Sequence, residues 1–200
     1  MKRFFTSLTA VLFALSLPAL AAAATWTIDP DHSNIGFKIR HLMVSNVKGS
    51  FEKHTGTVDL NEKDITKSKV EISIETASIN TNVKKRDEHL KSPDFFDVAK
   101  YPAMTFVSKK VVKAGKDKLK VTGDLTLHGV TKEVVLSVEG PSKESKDPWG
   151  NIRRGASATA TINRKDFGLT WNKALETGGV VVGEEVNIVL EIEMIKAKDK

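Results

Sequence analysis

The chain has 200 residues, a formal net charge of +6 and no cysteine. The absent thiol excludes disulfides, zinc–thiolate sites and thiol catalysis, and it suits an oxidising compartment. Basic and acidic residues are interspersed and gather in no long run, a poor footprint for nucleic acid.

The chain opens as a targeting segment. Lys2 and Arg3 give a positive start, Leu8 to Leu20 an apolar run broken by Pro18, and Ala21 to Ala24 a small-residue cleavage region. That order predicts a secretory signal peptide over residues 1–24. The run is shorter than the roughly 20 residues that span a bilayer, so the expectation is a soluble, periplasmic protein with one domain over residues 25–200. Without Lys2 and Arg3 the net charge falls to +4.

Strict alternation follows. Ile35, Phe37 and Ile39 alternate with Gly36, Lys38 and Arg40, and Val70, Ile72 and Ile74 alternate with Glu71, Ser73 and Glu75. The period recurs at Leu119 to Leu127, at Ala156 to Ile162 and at Val186 to Met194. Further strands fit Val47 to Leu60, Met104 to Val112 and Lys132 to Gly140, which makes eight, each with one dry face. His128-Gly129 is a two-residue hairpin turn, Ala114 to Lys118 a short loop, and Asp147-Pro148-Trp149-Gly150 a type I turn. One helix is predicted from Val83 to Lys91, with Asn82 as N-cap and Ser92-Pro93 as its stop. Lys165 to Gly183 is the longest stretch without alternation.

Eight such strands make either a two-sheet sandwich or a barrel. An eight-strand barrel leaves a lumen that its own side chains fill or that holds one slender ligand. Ala156, Ala158 and Ala160 put three small residues on one dry face, which favours the hollow form. The dry faces then offer Phe37, Ile39, Phe51, Ile72, Ile74 and Phe106 as lumen wall, with Leu125, Leu127, Ala158 and Ile188 completing it. Phe95-Phe96 follows the helix, and on an extended backbone the two rings point opposite ways, so one plugs the mouth; both are counted among the lumen candidates.

Catalytic patterns are wanting. The five histidines show no H-x-x-x-H or H-E-x-x-H spacing, no G-x-S-x-G elbow marks a serine hydrolase, and no Gly-rich phosphate loop appears. The densest polar cluster is Lys84 to Lys91, where Arg86 and His89 lie three apart and can meet a polar or anionic head group if the helix caps the barrel. The competing reading is a solvated helix with internal ion pairs. His41, at the end of its strand, is the other candidate for a polar group at the lumen.

Ile28-Asp29-Pro30, His32-Ser33, His41 and Gly49-Ser50-Phe51, then Ser78-Ile79-Asn80-Thr81, Arg86-Asp87, His89-Leu90, Phe95-Phe96-Asp97 and Tyr101-Pro102, form a set of fixed spacings. With Gly123 to Leu127, Gly129 to Lys132 and Arg164 to Gly168, this set resembles the YceI-like family of polyisoprenoid-binding, lipocalin-like proteins. The resemblance implies an all-β, eight-stranded antiparallel barrel with an apolar lumen, one short helix near the mouth, and a long isoprenoid or quinone-like lipid inside. It implies a carrier or store, with no cofactor, metal or catalytic residue expected. Transient contact with a membrane and pairing of two copies through an edge or the mouth are compatible with it. An enzyme acting on the bound lipid, or a ligand-free structural or stress-related protein with a packed lumen, are the alternatives.

Overall fold

The computed structural model describes residues 24–176 and 178–198. Apart from Ala24, the expected signal peptide lies outside the described residues. Twelve strand segments are present among the described residues: β1 (Ala24–Ile28), β2 (Asn34–His41), β3 (Ser45–Phe51), β4 (His54–Leu60), β5 (Lys69–Glu75), β6 (Ile79–Asn80), β7 (Ala103–Gly115), β8 (Lys118–Leu127), β9 (Val130–Glu139), β10 (Ser145–Lys146), β11 (Ile152–Asn163) and β12 (Val182–Lys196). The α-helix α1 (Lys84–Lys91) lies between β6 and β7.

These segments amount to eight long antiparallel strands. A 3₁₀ turn at Pro30–His32 interrupts the first strand into β1 and β2, and another at Thr76–Ser78 separates β5 from β6. Between β3 and β4, Glu52 and Lys53 are both exposed while Phe51 and His54 are buried, as at a bulge that adds one residue between two inward side chains. β12 closes the ring. One edge pairs with β11 from Asn163↔Glu185 to Arg153↔Ile195, and the other pairs first with β2 and then with β1. The circuit β1-β4-β5-β7-β8-β9-β11-β12 therefore has no free edge, the barrel solution to the unpaired-edge problem.

The seam between β9 and β11 is the weakest. It pairs over Ser137 to Glu139 alone, so the two strands part toward the end where β9 begins. The 3₁₀ turn Arg164–Phe167, with Phe167 and Leu169 buried, belongs to the segment that follows β11.

Local chemistry explains the connections. His128 and Gly129 have φ of 53° and 74°, the mirror-image turn that matches strand twist, and they join the paired Leu127 and Val130. The Asp147 turn forms as expected, with Gly150 N–H donating to the Asp147 carbonyl at 3.1 Å. The helix start differs from expectation. Asn82 sits at φ 62° with its N–H bonded to Asn80 Oδ1 at 2.7 Å, and Val83 occupies the cap position without a side-chain bond. The strand β1 was not separately expected, because Trp26 and Ile28 give two inward positions before Pro30 ends the pattern.

Candidate functional site

Inward residues divide the interior into two zones. At one end Trp26, Val58, Leu60 and Met194 form a dry cluster, joined by Ala156 and Ile152. At the other end lies a cavity of about 280 Å³. Phe37, Ile39, Val47, Val186 and Ile188 point inward yet stay half-buried, because they front this cavity and not a facing side chain.

Of the lumen residues expected from alternation, Phe37, Ile39, Phe51, Ile72, Ile74, Phe106, Leu125, Leu127 and Ile188 all line the cavity. Ala158 does not; it is buried in the core packing behind it. None of the three alanines lines the cavity; the larger side chains paired across from Ala158 and Ala160, Leu190 and Ile188, do. Phe95 and Phe96 both reach the cavity, as lumen candidates should, although not with the two rings on opposite sides of an extended chain. Their backbone is turned and not extended: Phe95 N–H donates to the Ser92 carbonyl at 3.0 Å and Phe96 N–H to the Leu90 carbonyl at 2.9 Å.

The rim is aromatic. Phe96 stands edge-on to Phe51 at 5.5 Å between centroids, and Phe51 meets Phe37 at 6.0 Å. Across the mouth His89, Phe95 and Trp171 form a triangle with centroid separations of 5.1, 5.0 and 5.1 Å. Such edge-to-face packing adds stability beyond area burial and holds the rings in fixed orientations.

The polar candidates are brought to the same mouth: His41, Arg86 and His89 all line the cavity. Each of the two on α1 also has structural partners. Arg86 donates from Nε to Thr81 Oγ1 at 2.8 Å and from Nη2 to the Thr81 carbonyl at 2.8 Å. Thr81 N–H in turn donates to the buried Asp87 carboxylate at 2.9 Å, so α1 is stitched onto β6 through one threonine. His89 Nε2 lies 2.8 Å from Asp94 Oδ2, which fixes the ring against Phe95 and Trp171.

Sequence reading missed the lining residues that follow β11. The buried Arg164 at its end, and Leu169, Trp171, Val181 and Val182 from the long stretch after it, complete the wall. Arg164 donates from Nε to the Gly183 carbonyl at 2.8 Å and also to the carbonyls of Leu169 and Val182. Burial pulls its guanidinium below the usual arginine range, with Glu184 acting in the opposite sense. This arginine ties the loop to the start of β12 and adds a buried cation to the cavity wall, in addition to the Arg86 already at the mouth.

At the far end Asp29, His32 and Glu193 converge within 4.8 Å, a spacing that suits a metal ion. Arg153 already occupies that position. Its Nη1 donates to Asp29 Oδ2 at 2.6 Å and to Glu193 Oε1, and its Nε donates to Asp147 Oδ2 at 2.7 Å. The group is an ion-pair knot in which the guanidinium supplies the positive charge.

Known proteins agree with this architecture. The model of the YceI-like domain matches residues 26–194. A UPF0312 protein of Vibrio parahaemolyticus is 43% identical over 161 residues, covering 80% of this chain and 85% of the relative. The solved YceI protein of Campylobacter jejuni superposes with a TM-score of 0.67 at 36% identity, covering 85% of this chain and 96% of that one. A polyisoprenoid binding domain from Saccharophagus degradans superposes with a TM-score of 0.64 at 17% identity, covering 88% and 99%, and shares the fold. The barrel, the matched span and the relatives together place this chain in the YceI-like family.

Proposed function

We propose that this protein binds a long isoprenoid or quinone-like lipid in its barrel and acts as a periplasmic carrier or store, not as an enzyme. The observation that carries the reading is the cavity: a wall of aliphatic and aromatic side chains, with cationic groups at its rim. The likeness to a domain described as polyisoprenoid binding supports the same ligand class. The polar groups at the cavity are held by Thr81, Asp94 and backbone carbonyls, which suits holding a ligand more than turning it over.

Energetics fit an exchanger. At about 0.8 kcal/mol per CH₂, a tail of roughly forty carbons gains about 30 kcal/mol on leaving water, above the ceiling of roughly 20 kcal/mol for real complexes. Ordering the chain offsets part of this. The competing reservoir is a bilayer, which is as apolar as the lumen, so transfer between the two is near balance. The cavity, about 280 Å³, lies near the lower end of small-ligand pockets, roughly 300 Å³. A long tail therefore fills it and continues through the mouth.

The test is mass spectrometry of an organic extract of the purified protein, beside Phe37→Arg, which places a guanidinium on the cavity wall. The expected result is a long prenyl lipid from the parent protein and none from a variant that keeps its β-type circular dichroism. Absence of any lipid from the parent, together with no uptake of a prenyl quinone in titration, removes the proposal.

A further inference from the structure

The β2–β3 hairpin closes beside the cavity mouth with Leu42, Met43 and Val44. Val44 N–H donates to the His41 carbonyl at 3.1 Å, so Leu42 and Met43 are the central residues of the turn, at φ of 49° and 59°. Bulky residues rarely take this backbone region, and a turn of this kind ordinarily carries Asn-Gly. Elsewhere the chain follows that rule, with His128-Gly129 in one hairpin and Asp117 at φ 55° in another. Strain here comes with exposure: Leu42, Met43 and Val44 are 39%, 50% and 75% exposed. The turn is also held in place, since Leu42 N–H donates to the Val181 carbonyl at 2.8 Å and Arg40 Nη2 to the Met43 carbonyl at 2.7 Å.

Charge adds a second, independent feature. Lys38 and Lys48 stand directly opposite each other on the outward face of β2 and β3, and Arg40 lies two residues on. Like charges in register are destabilising, and none of the three takes part in an ion pair among the described residues. Glu185, on the neighbouring β12, is the nearby acid, and it forms no such pair either. An exposed apolar tip backed by unpaired cations is the composition that enters a lipid interface whose head groups are anionic.

We infer that the Leu42-Met43-Val44 turn is a membrane-docking tip that seats the cavity mouth on an anionic bilayer surface. The inference deepens the lipid-carrier reading and rests on it for its purpose, since a lipid that leaves through the mouth then passes directly into the membrane. Its occupant is the bilayer, chosen over a second copy of the chain because a copy would bring the same three cations against Lys38, Arg40 and Lys48.

The test is flotation of the mature chain with vesicles of phosphatidylcholine, with and without phosphatidylglycerol, at low and high salt. The protein is expected to float with the phosphatidylglycerol vesicles at low salt and to be released by high salt, because exposed charge is screened over about 8 Å at physiological ionic strength. The decisive variant is Leu42→Asn with Met43→Gly, which restores a favoured turn. It is expected to keep or raise the melting temperature while vesicle affinity falls about tenfold or more, as two apolar side chains no longer enter the interface. Lys38→Gln with Lys48→Gln is expected to cut affinity for the anionic vesicles about fivefold per charge. Flotation that ignores both variants, or no flotation of the parent protein, overturns the inference. So does a parent dimer in light scattering that the turn variant dissolves while neither form floats. Lipid content measured on the same samples separates the two ideas: lipid-free protein that floats removes the carrier reading alone, and loaded protein that does not float removes the tip alone.

Discussion

At the closed end of the barrel Trp26 is wholly enclosed by Val58, Leu60 and Met194, with Arg154 and Lys196 over its ring at 5.3 and 5.7 Å. At the mouth Phe37 occupies an equivalent inward position, yet it is half-buried and faces open space. The closed end is also cross-linked by charge, through Arg153 and its three carboxylates, whereas the mouth is assembled from α1, a turn and a long loop that bond largely to backbone carbonyls. One strand set thus serves two purposes: packing concentrated at one end frees the other to line a cavity.

The largest effect should separate these ends. Trp26→Ala is expected to cost about 3–5 kcal/mol, the range for a buried Trp or Phe whose cavity cannot collapse, and to lower the melting temperature by on the order of 10 °C for a chain of this size. Phe37→Ala, at a position that already fronts empty volume, is expected to cost about 1 kcal/mol or less while weakening lipid uptake. Paired thermal melts and lipid titrations decide this. Equal destabilisation by the two changes would mean that the barrel is uniformly packed and that the mouth is no different from the floor.

A smaller, pH-dependent effect comes from the ion-pair knot at the closed end. Burial pushes the Asp29 carboxyl up, but hydrogen bonds from Arg153 and His32 outweigh it and leave the group below its ordinary value. Asp147 is held far below the usual carboxylate range by Arg153, Asn151 and the Trp149 N–H, again against burial. Because both folded values are depressed, their stabilisation is complete above the ordinary carboxylate value, about 3.9, and is lost as pH falls through the folded values. Urea midpoints measured from pH 7 to 3 should therefore fall below about pH 4, and Arg153→Met should flatten that fall while lowering the whole curve. An unchanged pH slope in Arg153→Met would show that other carboxylates control acid stability.

The sequence made the walls legible and the joints much less so. Alternation in β2, β5, β8 and β12 named Phe37, Ile72, Leu125 and Ile188 as inward, because an antiparallel sheet with one wet face imposes a period of two. Arg164, Leu169 and Trp171 reach the cavity from a segment with no period, so nothing local marked them. Arg153 gathers Asp29 and Glu193 from distant strands and Asp147 from the turn before its own strand, and spacing carries no trace of the distant two. Leu42-Met43 escaped for a different reason: the backbone there is a turn, and the residues do not read as one.

The smallest expected change concerns His54, at the start of β4 on the cavity side of Gly56 and Val58. It faces inward on β4 opposite Ile74, a cavity-lining residue, and is 5% exposed. Neither of its ring nitrogens has a hydrogen-bond partner among the described residues. A buried polar group left unsatisfied costs about 1–3 kcal/mol, whereas replacing it by an apolar group of similar shape is neutral or stabilising. His54→Leu is therefore expected to leave stability unchanged or raise it by about 1 kcal/mol, the gain being reduced because leucine does not reproduce the flat ring. His54→Ala controls for shape. It removes the same unsatisfied atoms but leaves a cavity, so it should be less stable than the leucine variant by about 1–2 kcal/mol. The measurement is the urea midpoint of all three proteins with the m-value held constant. A leucine variant less stable than the parent by more than about 1 kcal/mol would mean that the imidazole bonds to a partner in solution. That result would place a hydrogen-bonded polar group beside Ile74, and that stretch of the wall could no longer be treated as wholly apolar.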